Sequence, residues 1–210
     1  VDSDIVDKLI QKEEDVKDQL DDMQRELIVS VFKTQLPTLD KVEFNVEAQP
    51  MNETSAPITI TQNEYMRRMK DMSRLQQGMS FYGEMPDMYN VVLNTNHRLV
   101  KDILNASESE LSSQLSPINA EIKGLNARRD AINQTNKDKK YDEISQESKD
   151  ELSKCEEDIR LQNDKKTSII AEYAKSVNRV HQLIDLALLQ NGMLRGEALT
   201  KFVNRSLQMI

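Results

Sequence analysis

The stretch Met88-Tyr89-Asn90-Val91-Val92-Leu93-Asn94-Thr95-Asn96-His97-Arg98-Leu99-Val100 decides the fold class. Met88 to Leu93 is a short β-branched and aromatic run, which predicts a strand. Asn94 follows as a helix-capping residue, and the run after it predicts a short helix to about Asn105. His97 falls in the first turn and has a structural or capping role. A strand feeding straight into a helix requires both element types in one unit.

Upstream, Val42-Glu43-Phe44-Asn45-Val46-Glu47 alternates apolar and polar residues, the pattern of a half-buried strand. Asn52 to Ser55 is a polar turn, and Pro57-Ile58-Thr59-Ile60 predicts a second strand paired with the first. Thr61-Gln62-Asn63-Glu64 reads as a capping box opening a helix to about Gln77. Tyr65, Met66, Met69, Met72 and Leu75 form its apolar stripe, with Arg67, Arg68, Lys70 and Arg74 on the other side. Methionine is flexible and polarisable, so such a stripe suits varied partners, but on the residues alone packing against the small sheet is the favoured reading.

Further out, Ile5, Leu9, Val16, Leu20, Met23, Leu27 and Val31 recur at helical spacings. They predict a helix over 3–35 stopped by Pro37, with a possible break near Glu14 to Asp21. From Ala106 to Lys166 the chain is charged. Leu115, Ile118, Ile122, Leu125 and Ile132 keep heptad-like spacing, Ser116-Pro117 reads as a helix start, and 133–140 is a polar break. That predicts a protruding helical hairpin, with Cys155 a surface or half-buried thiol. Residues 167–190 predict one long apolar helix stopped by Asn191-Gly192, and Glu197 to Ile210 a last helix.

Composition narrows the function. Among 210 residues only 5 are Gly and 5 Pro, so helices should dominate. The formal net charge is −8 and no basic stripe interleaves with aromatics, which argues against nucleic acid. Mean hydropathy is −0.65 and no apolar run approaches a membrane span. The single Cys155 excludes an intramolecular disulfide and fits a reducing, cytoplasmic setting. His97 and His181 have no partners at metal-ligand spacing, Asp21-Asp22 and Glu156-Glu157 are solvated pairs, and no phosphate-cradling loop occurs. The chain reads as non-enzymatic, without a catalytic, cofactor or metal site of its own. It opens on Val1 inside a charged helix-like run, which points to a piece of a longer protein.

Thr61 to Leu75, followed by Tyr89 to Val100 with Asn94 and His97 in an Asn-x-x-His turn, resembles the C-terminal domain of bacterial chaperones of the HtpG (heat-shock-protein-90) type. Thr95 stands where that family usually has Pro. Leu183 to Leu189, Gly192 and Phe202-Val203-Asn204-Arg205 are similar to its closing helix pair, and Ala56-Pro57-Ile58 sits where the family has a small-Pro stretch. The resemblance covers 25–105 and 170–210. It departs at 106–166, where the usual member has a short link, and the chain ends without an acidic tail.

The expected architecture is therefore helix-dominated α+β. A small three-stranded sheet carries packed helices, a long helical-hairpin insertion and a C-terminal helix pair. The expected divisions are a lead-in at 1–24, a C-terminal domain at 25–105 and 167–210, and the insertion at 106–166. The resemblance implies a homodimer in which the last two helices of each chain form a four-helix bundle. It places Leu183, Ile184, Ala187, Leu188, Leu199, Phe202, Val203, Leu207 and Ile210 at that interface. On the residues alone, packing within the chain is the alternative. The resemblance also implies that Tyr65, Met66, Met69, Met72 and Leu75 meet non-native client proteins. ATP and Mg would be bound by a separate N-terminal domain. A coiled-coil scaffold acting through the 106–166 hairpin is the competing function.

Overall fold

A computed structural model describes residues 20–62, 67–68, 72, 86–140 and 143–207. Its elements in chain order are α1 (Asp22–Lys33), β1 (Val42–Gln49), β2 (Ile58–Gln62), β3 (Asp87–Asn94), α2 (Arg98–Thr135), α3 (Gln146–Ser176), α4 (Asn178–Gln190) and α5 (Gly196–Leu207). The architecture is helix-dominated α+β around a three-stranded mixed sheet, as the sequence indicates.

β1 and β2 do not pair with each other, contrary to expectation. The strand order is β1-β3-β2, with β3 parallel to β1 and antiparallel to β2. Val91, Val92, Leu93 and Asn94 are all buried in succession. A run buried on both sides belongs at the centre of a sheet, whereas the alternating β1 tolerates an edge. Thr61 and Gln62 also extend β2, with Thr61 opposite Asn90, so Thr61 is a buried strand residue rather than a helix cap. Arg67, Arg68 and Met72 are helical and exposed. Tyr65, Met66, Met69 and Leu75 lie outside the described residues, as do 1–19 of the lead-in and Ile210.

α1 begins where the sequence allowed a break. Asp21 caps it, accepting from the Gln24 amide at 2.8 Å while Gln24 Oε1 accepts from the Asp21 amide at 3.1 Å. Its Leu27, Ile28, Val31 and Phe32 enter the core against Val46, Ile60, Val91 and Leu93 of the sheet. Burying each such side chain stabilises the fold by roughly 1.5–3 kcal/mol.

Two helix boundaries differ from expectation. α2 does not end near Asn105; it runs 38 residues in all, to Thr135, and Pro117 lies inside it rather than at a helix start. Nothing in Ala106 to Leu115 breaks a helix, and Ser107 Oγ satisfies itself by donating to Ile103 O at 2.7 Å. The expected single helix over 167–190 is two. α3 stops at Ser176, Val177 adopts φ −89° and ψ 87°, and α4 starts after it. No Gly or Pro marks that step. Packing sets it: α3 follows α2 in the hairpin, while α4 turns to cover β2.

The hairpin is rooted in the core. Leu111 and Leu115 of α2 and Ile170 and Ala174 of α3 belong to the same apolar cluster as the sheet. Lys166 on α3 donates to Glu26 Oε1 on α1 at 2.7 Å. Cys155 is buried between the arms, not at the surface.

Candidate functional site

The turn after β3 is structural. Asn94 is fully buried; its Oδ1 accepts from the amides of Met51 and Asn96, and its Nδ2 donates to Asn52 O at 2.8 Å. It ties the loop after β1 to the end of β3. His97 is the cap of α2, its Nδ1 accepting from the Leu99 amide at 3.2 Å. Capping thus falls to His97 and not to Asn94. Asp21 is spent on capping α1, Glu156 and Glu157 are exposed, and no cluster of His, Cys, Asp or Glu among the described residues can hold a metal ion.

The last two helices form the second site. α4 closes in a Schellman motif: Gly192, at φ +67°, donates to Leu189 O at 3.0 Å, and Met193 to Leu188 O at 2.9 Å. A side chain at Gly192 would strain this left-handed turn. Leu194 then plugs the core and α5 returns along α4. Polar side chains lock the pair. Gln182 Nε2 donates to Ser206 Oγ at 2.6 Å, and Arg205 pairs with Asp185. Burial raises the Asp185 carboxyl above its ordinary range, and the Arg205 guanidinium pulls it part of the way back.

The expected interface residues divide sharply. Leu183, Ile184, Ala187 and Leu188 are buried in this chain's own core. Leu199 and Phe202 pack against that core but remain half-buried. Val203 and Leu207 are 46% and 65% exposed, and no residue of α5 is fully buried. Leu186 and Leu189 of α4, which the sequence reading did not assign to the interface, are exposed as well. On α4 they share the side of Gln182 and Asp185 that meets α5, since positions three and four apart lie on one helix face. Ile210 lies outside the described residues.

The third site is the segment after β2, where Met72 is 47% exposed and Arg67 and Arg68 are exposed as well. Of the expected apolar stripe Tyr65, Met66, Met69, Met72 and Leu75, only Met72 is among the described residues.

No protein-family model matches the chain, and no solved structure does. Curated sequences do. The chain is 48% identical over all 210 residues to "Chaperone protein HtpG" of Bacteroides thetaiotaomicron and 50% identical to that of Bacteroides fragilis. The chain is related to the HtpG chaperones. It matches the HtpG of Porphyromonas gingivalis as well, at 41% identity over 217 aligned positions. In each case the whole chain is covered but only 31% of the relative, a C-terminal piece of HtpG. Because the match covers the whole chain, residues 106–166 lie within the stretch that is aligned with these relatives. No helix among the described residues is long and apolar enough to cross a membrane.

Proposed function

We propose that this chain is the dimerising and client-contacting part of an ATP-dependent, cytoplasmic chaperone of the HtpG type. The carrying observation is α5: it is amphipathic, buries none of its residues fully and leaves Val203 and Leu207 open on one face. Leu186 and Leu189 extend the open apolar surface onto α4. A second copy of this chain is the occupant, because a two-fold axis brings like patches together and two such helix pairs close into a four-helix bundle. The inner residues Leu183, Ile184, Ala187 and Leu188 support this bundle from within each chain. Leu199, Phe202, Val203 and Leu207, with Ile210, make its seam. ATP and Mg belong to another domain of the whole protein.

The client surface is the segment bearing Met72, where the methionine and the cationic Arg67 and Arg68 are each exposed. An adaptable thioether next to positive charge suits non-native segments of mixed character. Weak sites of this kind gain when two copies face one cleft. The competing reading is a scaffold that binds through the hairpin; the 51% exposure of Leu161 on α3 favours it. Sedimentation velocity separates them. Dimer loss on Val203→Asp with Leu207→Asp supports the bundle, and dimer loss only on removal of the distal hairpin supports the scaffold.

A further inference from the structure

The hairpin is two bodies in sequence, and the boundary between them is sharp. On α2 the core cluster reaches Leu115, and burial continues one turn further to Ile118. On α3 it begins again at Lys166 and Ile170. Between Asn119 and Thr135, every side chain of α2 is half-buried or exposed. This distal arm is held to itself: Cys155 is buried between its helices, and Arg128 Nε donates to Glu151 Oε1 at 2.7 Å.

Two defects lie at the boundary. Pro117 has no amide, so α2 lacks the helical hydrogen bond that residue 117 would otherwise donate to the Ser113 carbonyl. The antiparallel register is set by Arg128 against Glu151 and by Ser107 against Tyr173. That register brings Gln162 of α3 level with the step from Pro117 to Ile118. Gln162 Oε1 is buried and has no hydrogen-bond partner. The interhelical contact is thus least satisfied at the level where the α2 ladder is interrupted. Immediately below, the Lys166–Glu26 ion pair fastens α3 to α1.

We infer that the distal arm, the described residues 119–140 and 143–162, is a lever that pivots as a unit about the Pro117–Gln162 level while the base stays fixed. Proline is a recognised cause of sharp helix bending, and an unsatisfied buried amide opposes no rearrangement that would give it a partner. The 17 residues from Asn119 to Thr135 extend about 25 Å, so a bend of roughly 20° moves the tip by about 9 Å.

The test is a distance distribution between spin labels in the full chain, with Cys155→Ala as background. One label sits at Lys137 near the tip and one at Glu43 on β1, both exposed. A second pair, Ala127 with Glu156, reports on the arm alone. The tip-to-core distribution should be broad. Pro117→Ala, which restores the amide, should narrow it, and Gln162→Leu, which removes the orphaned oxygen, should narrow it in the same direction. The within-arm distribution should stay narrow throughout. Equal tip-to-core widths in all three proteins would overturn the pivot. A broad within-arm distribution would do so too, since the arm would then be fraying rather than turning as a unit. Thermal melts of both variants establish that each retains its fold.

Discussion

α4 and α5 look alike in sequence and end differently. Both carry apolar stripes at helical spacing, and the resemblance implies one interface for both. α4 places Val180, Leu183, Ile184, Ala187 and Leu188 inside its own chain, whereas α5 fully buries nothing. An apolar stripe says that a face will be covered; it does not say by which chain. The cover is set by what the fold has already placed nearby, and β2 with α1 reaches α4 first.

The largest effect should come from removing the whole of 106–166. That deletion takes away Leu111 and Leu115, members of the central cluster, and should abolish cooperative unfolding in a calorimetric melt. Bridging only 122–160 with a short flexible linker should keep most of the melting temperature, because no described residue there belongs to the central cluster. If the two deletions melt alike, the hairpin has no rooted base.

Next comes Leu188→Ala, which should cost roughly 2–5 kcal/mol in denaturant unfolding of the monomer, the range for a leucine cavity in a closed core. An effect confined to dimer affinity would move Leu188 from the core to the interface.

The polar lock between the helices titrates in a defined direction. Burial favours the protonated form of Asp185, so its proton contributes stability at pH below the unfolded carboxyl value. That contribution is lost as pH rises through the higher folded value. Arg205 opposes the shift, so Arg205→Ala should move the Asp185 midpoint further up in a carboxyl NMR titration. A downward move would mean that Arg205 does not face the carboxylate. The smallest effect should be Met72→Ser, within about 0.5 kcal/mol of the parent for an exposed position, with weaker suppression of client aggregation.

Much of this was legible in local pattern. The alternation in Val42 to Glu47, the β-branched Ile58 to Ile60 and the run to Leu93 gave three strands. Asn191-Gly192 marked the end of α4, where a left-handed residue was needed. Strand order was not legible, because pairing is non-local. Its one trace was the uninterrupted apolar run Val91-Val92-Leu93, a central-strand signature that proximity of β1 and β2 in sequence obscured. Pro117 misled because proline is more often found at a helix start than inside one. The stop at Val177 had no marker at all, being imposed by packing. In the site, His97 as a cap could be read, but the division between Leu188 and Leu186, two positions apart, required the neighbours in space.

The most direct test of the central claim is sedimentation velocity on Val203→Asp with Leu207→Asp, accompanied by a far-ultraviolet spectrum. Both residues are exposed within the chain, so its fold should survive. The account predicts a parent that sediments as a dimer and a double variant that sediments as a monomer with an unchanged helical spectrum. A variant that remains dimeric would contradict the assignment of the outer face of α5 to a second copy of this chain.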